Sequence, residues 1–239
     1  MKNYYIRKIK MMECNDDTYI SQLPVVQYLR KYHELEFNHD ITFLVGENGA
    51  GKSTLIEAIA ICAGFNGEGG SKNFNFSTKQ TVSNLSNYLT LVKEGYEKDG
   101  FFLRSESFYN LASEVEDLQL DLEQYGGRSL HCQSHGESLM SLIQNRFRGD
   151  GLYILDEPET GLSPLRQMSL LTEMKRLIDC NSQFMIATHS PILLAYPNAT
   201  IYQITGDSIS KVSYEETDHY ILTKQFLENP KQMIRYLFE

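Results

Sequence analysis

A chain of 239 residues with 41% hydrophobic content is long enough for one large domain with a substantial core, and its net charge of −9 argues against a surface built mainly to hold a phosphate backbone. The longest apolar runs, such as Ile41 to Val45, fall far short of the roughly 20 residues that a membrane-spanning helix needs. The opening residues, MKNYYIRKIKMME, lack an apolar signal core, so the sequence predicts a cytoplasmic chain with no transmembrane segment.

Cys14, Cys62, Cys132 and Cys180 are scattered without a CxxC pair, which predicts buried, reduced thiols. No repeat and no low-complexity block interrupts the chain. In order, NYYIRKIKMM alternates as an early strand and LPVVQYLRKY reads as a short helix. HELEFNHDITFLVGENG reads as strand, turn at Asn38 to Asp40, strand and loop. KSTLIEAIAICAG is a helix that stops at Gly64. From there to Asp99 the pattern loosens, with a helix-like piece in VSNLSNYLTLVKEGYEKDG, before a strand at FFLRSESF and an acidic helix at YNLASEVEDLQLDLEQY.

Residues 65–135 therefore read as a small helical subdomain embedded in a single domain over 1–239. Order returns with a helix from about Ser138, a strand GLYILD, a helix LRQMSLLTEMKRLIDC and a strand QFMIATHS. A hairpin turning at Gly206 and Asp207 follows, and two closing helices, the second opening at Pro230. Strands that alternate with helices predict an α/β fold with a mostly parallel central sheet, flanking helices and an antiparallel β portion.

Three stretches carry chemistry. GENGAGKST follows an apolar strand and opens a helix, the context required of a GxxxxGK[ST] phosphate-binding loop, or P-loop. Gly46, Glu47, Asn48, Gly49, Ala50, Gly51, Lys52, Ser53 and Thr54 would cradle ATP, with Lys52 against the β- and γ-phosphates and the Ser53 hydroxyl on Mg²⁺. LYILDEPE ends a strand in two adjacent acids, which places Asp156 on Mg²⁺ and makes Glu157 the general base for the attacking water. FMIATHSP ends another strand at His189, on the sheet edge where the other two converge, within reach of the γ-phosphate.

A fourth stretch, SHGES, opens a helix. Ser134 with Glu137 three residues on could be a plain capping box, or the place where an anion is held. The phosphate loop, this serine-glycine motif, the LDEP strand and the following histidine together resemble the ATP-binding-cassette ATPase superfamily. The likeness runs from about Ile41 to Pro191, with 82 positions from Lys52 to Ser134, 22 to Asp156 and 33 more to His189. DEPETGLSP and ATHSPILLAYP are most similar to the soluble branch related to the RecF, chromosome-maintenance and break-repair ATPases. The 82-position gap leaves no room for those proteins' coiled coils.

The resemblance implies an ATP hydrolase that works as an ATP-dependent, head-to-tail homodimer. Ser134, His135, Gly136 and Glu137 of one chain would contact ATP held by the other, with His135 standing where the family has glycine. It implies a glutamine-loop residue, for which FFLRSES offers Glu106 or Ser107, with Glu106 the candidate metal contact and Gln80 a poorer choice. It also implies a cross-interface aspartate, where this chain has Ser163. Lys72 is one further cation for phosphate. The protein partner is not named by the sequence, and nucleic acid is possible but unsupported. The competing readings are the energising subunit of a membrane transporter and a slow ATP-binding switch.

Overall fold

The computed structural model describes residues 4–13, 19–72, 83–117 and 125–238. Two sheets form. Strands β1 (Lys8–Met11), β2 (Glu34–Glu36) and β4 (Leu89–Val92) make a small antiparallel sheet in the order β2-β1-β4. The larger sheet runs β5-β6-β7-β3-β8-β9, built from β3 (Ile41–Gly46), β5 (Asp99–Arg104), β6 (Gly151–Asp156), β7 (Gln183–Ala187), β8 (Thr200–Thr205) and β9 (Ser208–Val212). Every pairing in it is parallel except the β8–β9 hairpin.

ITFLVG, GLYILD and QFMIA are near-continuous apolar runs because both faces of these central strands are covered, and each of their residues is buried. Alternate side chains go to opposite faces. Phe43, Val45, Tyr153 and Leu155 pack toward α3 (Phe108–Asp117), α4 (His135–Arg146) and α5 (Pro164–Asp179). Leu44, Leu152, Ile154 and Met185 pack toward α1 (Pro24–Tyr32) and α2 (Lys52–Cys62). Helix α2 is apolar around most of its circumference because Leu55, Ile56 and Ile59 share one buried cluster with both sheets. A single turn, α6 (Pro191–Leu194), then α7 (Asp218–Glu228) and α8 (Pro230–Phe238) complete the chain, and neither α7 nor α8 buries a residue fully.

The structure redraws the middle of the chain. Two strands lie inside the 65–135 stretch read as a helical subdomain: β5, expected at FFLRSESF, and β4, which was not expected. Leu89–Val92, part of the piece that looks helical in sequence, pairs with β1 because that strand offers an open edge. The helical portion described there is α3 with short 3-10 turns. The thiols also differ from expectation: Cys132 and Cys180 are exposed, Cys62 is half-buried, and all three are free. Cys14 lies outside the described residues, as do Gln80 and residues 118–124. Among the described residues no helix is long and apolar enough to cross a membrane.

Candidate nucleotide site

Register carries the functional residues to one edge. Ala187 lies opposite both Leu44 and Asp156, and Arg104 lies opposite Asp156, so β3, β5, β6 and β7 end together. The loop from Gly46 to Gly51 turns there on three glycines with φ of 151°, 83° and 91° at positions 46, 49 and 51. A Cβ on Gly46 would stand 2.6 Å from the Ile204 carbonyl oxygen, and one on Gly51 would stand 2.6 Å from Val25 Cγ1. Glu47, Asn48 and Gly49 form an exposed rim, Ala50 is buried, and Ser53 and Thr54 are half-buried in the first turn of α2. A cleft of 330 Å³ lies between this rim, the β8–β9 turn and Asp218 at the start of α7.

Lys52 folds back over its own loop, donating to the carbonyl oxygens of Gly46 at 2.8 Å and Glu47 at 2.9 Å. Burial lowers the pKa of its ammonium, partly countered by Glu157, Asp156 and Glu159. Ser53 Oγ donates to Asp156 Oδ1 at 3.0 Å. The Asp156 carboxyl, 5% exposed, is pushed up to about 6 by burial, with the Ser53 hydrogen bond opposing. A buried hydroxyl–carboxylate pair of hard oxygens beside a phosphate loop suits Mg²⁺. Among the described residues no three His, Cys, Asp or Glu converge on one point.

Glu157 follows with φ of 51°, a left-handed conformation costly for a residue with a long side chain. Ser105 stabilises the turn: its hydroxyl donates to the Glu157 carbonyl at 2.6 Å and approaches that of Asp156 at 3.1 Å. The Glu157 N–H donates back to Ala187 O at 2.9 Å. The Glu157 carboxylate then stands 3.7 Å from His189 Nε2. His189 is fixed from two sides, its backbone N–H donating to Glu159 Oε1 at 2.6 Å and its ring Nδ1 lying 3.0 Å from His219 Nε2. Burial and the nearby Lys52 charge lower the His189 pKa, with Glu157 opposing, which favours the neutral ring.

Glu106 sits at the same strand end but is exposed, and its carboxylate accepts from Arg104 Nη2 at 3.2 Å; Arg104 Nη1 also donates to buried Glu57 at 2.8 Å. Lys72 is far from the loop in function, because it pairs with Glu97 just before β5, at the opposite edge of the sheet, and lies over the Phe65 ring. Ser105, Glu159 and His219 went unread in the sequence. Glu159 was visible two residues beyond the acid pair; nothing local marks Ser105 or His219.

At the other candidate surface, Ser134 caps α4. Its hydroxyl and N–H both donate to Glu137 Oε2, at 2.7 and 3.1 Å, and with Arg166 Nη2 at 3.0 Å they hold the Glu137 carboxyl down to about 2. His135 replaces the family's glycine without a left-handed backbone. Its ring meets Phe108 edge-on at 5.0 Å. The neighbouring glycine is the constrained one: a Cβ on Gly136 would stand 2.6 Å from the Gly161 carbonyl oxygen. Ser163, where the family has aspartate, caps α5 by accepting from the Arg166 N–H at 3.4 Å.

A family profile described as AAA domain matches residues 25–183. No curated protein matches the sequence. Solved structures superpose along nearly the whole chain at low identity. CbiO1 from Clostridium perfringens, part of the ABC transporter complex cbiONQ, is 18% identical over 98% of this chain and 99% of its own, with a TM-score of 0.51. MJ1267, an ATP-binding cassette of an ABC transporter in its ADP conformation, is 17% identical over 98% and 99%, with a TM-score of 0.52. The ATP-binding subunit of another ABC transporter is 16% identical over 95% and 100%, with a TM-score of 0.51. The chain belongs to the AAA-domain family of P-loop ATPases and has the fold of an ATP-binding cassette.

Proposed function

We propose that this chain hydrolyses Mg²⁺-ATP at a site shared by two head-to-tail copies, and that the resulting open–close cycle drives a protein partner in the cytoplasm. The observation that carries the reading is the convergence of Lys52, Ser53, Asp156, Glu157 and His189 at one edge of the sheet. Lys52 would exchange its two loop carbonyls for phosphate oxygens. Ser53 and Asp156 would hold Mg²⁺, which when bound supplies charge neutralisation at the phosphates. Glu157 would take the proton from the attacking water as the bond to the γ-phosphorus forms and the bond to the bridging oxygen breaks. His189 Nε2 would donate to a γ-phosphate oxygen. The partner copy's Ser134 to Glu137 would complete the site, with the Ser134 hydroxyl turning from Glu137 to phosphate at a helix N-terminus.

Removing the base while keeping its shape tests both halves of this reading. Glu157→Gln is expected to lower kcat by about 100-fold or more and to accumulate an ATP-dependent dimer in light scattering. A variant that stays monomeric with ATP and Mg²⁺ overturns the two-chain site. Ser134→Arg is expected to abolish hydrolysis, and retained activity would reduce SHGES to a helix cap.

A second reading, the ATP-binding subunit of a membrane transporter, draws support from the transporter cassettes that superpose along the whole chain. Recovery from native membranes together with a transmembrane subunit favours it over a role apart from the membrane.

A further inference from the structure

Two imidazoles meet beside the acid pair. His189 Nδ1 and His219 Nε2 are 3.0 Å apart, with ring planes tilted by 55°. Between neutral rings one nitrogen must donate and the other accept, which leaves two arrangements. If His189 donates from Nδ1, its Nε2 is a bare lone pair aimed at the Glu157 carboxylate 3.7 Å away, which is repulsive. His219, accepting at Nε2, would then carry its proton on Nδ1. That atom is buried and has no hydrogen-bond partner, and an orphaned N–H is costlier than an orphaned lone pair. If His219 donates instead, the repulsion vanishes, and the one N–H without a hydrogen-bond partner moves to His189 Nε2, where it is drawn to the Glu157 carboxylate 3.7 Å away. His189 then carries its proton on Nε2, facing Glu157, and His219 Nδ1 is a bare acceptor.

We propose that His219 is a positioning residue: its Nε2–H holds His189 in the tautomer that presents Nε2–H toward Glu157 and the phosphate edge. The effect on turnover rests on the reading that His189 contacts the γ-phosphate; the effect on the tautomer does not.

The donor is well fixed. His219 is the second residue of α7, whose cap Thr217 is fully buried, donates to Tyr214 O at 2.7 Å and accepts from the Tyr220 N–H at 3.3 Å. The preceding Asp218 is clamped to Gln203 of β8 at 3.0 Å. Groups facing the pair are Lys52 from the phosphate loop, Glu157 and Glu159 after β6, and Asp218 on α7 itself. A tautomer chosen by hydrogen bonding to the second nitrogen is a general means of aiming a functional histidine.

Long-range proton–nitrogen NMR on the full ¹⁵N-labelled chain, without nucleotide, reads the protonated nitrogen of His189 directly. Wild type is expected to show Nε2–H. His219→Gln, which keeps an N–H donor, is expected to retain it, and His219→Phe to give a mixture of both tautomers. In steady-state ATPase assays His219→Phe is expected to lose about tenfold in kcat with KM nearly unchanged, and His219→Gln to recover most of it. Nδ1–H on His189 in the wild type, or a tautomer indifferent to His219→Phe, overturns the proposal. A tautomer that responds while kcat stays constant supports the His219 bond and overturns the phosphate contact of His189.

Discussion

The two ends of the large sheet are built from the same strands and treat charge in opposite ways. At the end where β5 and β6 begin, Asp99 accepts from the Tyr153 hydroxyl at 2.7 Å, Arg146 Nη1 at 2.8 Å and the Arg148 N–H at 3.0 Å. Asp150 there accepts from Lys98 and Asn181. The left-handed residues leading into β6, β7 and β8 at that end, apart from Gly149, are Asp150, Asn181 and Asn198, types that tolerate it. At the end where the strands finish, burial outweighs the Arg104 charge and pushes the Asp156 carboxyl up, Lys52 is desolvated, and Glu159 Oε2, His189 Nε2 and His219 Nδ1 have no hydrogen-bond partner. The left-handed residue is a glutamate. Among the described residues, one end pairs its charges and leaves unbonded only the Thr42, Ser182 and Thr200 hydroxyls and one oxygen of the lysine-paired Glu97; the other leaves a carboxylate oxygen and two imidazole nitrogens unmatched, which is expected of a surface completed by a ligand.

The sharpest way to break the comparison is at the satisfied end. Asp99→Ala strands Arg146 and the Tyr153 hydroxyl in the interior and should cost roughly 3 kcal/mol, lowering Tm by about 10 °C in calorimetry. Turnover per folded molecule should be unchanged.

Asp156→Asn should move stability the other way. A carboxyl whose folded pKa is raised favours the folded state below its unfolded pKa, near 4, and that contribution is lost as pH rises through about 6. Removing the charge should therefore stabilise the metal-free chain at pH 7.5 by on the order of 2 kcal/mol, and by nothing near pH 4. Equal melting curves at pH 7.5 in chelator would refute the buried-charge account. The smallest effect belongs to Ser105→Ala, which frees the Glu157 carbonyl and should cost about 1 kcal/mol and a severalfold loss in kcat. No change in kcat would show that Glu157 keeps its aim without Ser105.

Much of this was legible because it is local. GENGAGKST, GLYILD and the TIYQITGDSISKV hairpin each declare their structure within a dozen residues, and their positions match β3–α2, β6 and β8–β9. Strand β4 was not legible, since LTLV becomes a strand only by meeting β1, about 80 positions earlier in the chain. Ser105 and His219 were invisible for the same reason. Each matters only through a partner 30 to 52 positions away, placed by sheet register or by the docking of α7.

Lys52 carries one more consequence. Its ammonium is out of water and bonded to Gly46 and Glu47 before any phosphate arrives. Its dehydration therefore falls on folding rather than on binding, and nucleotide entry is an exchange of one set of oxygens for another. The heat of binding should then report the difference between phosphate and peptide oxygens as partners, and the empty loop should keep the shape that the nucleotide requires.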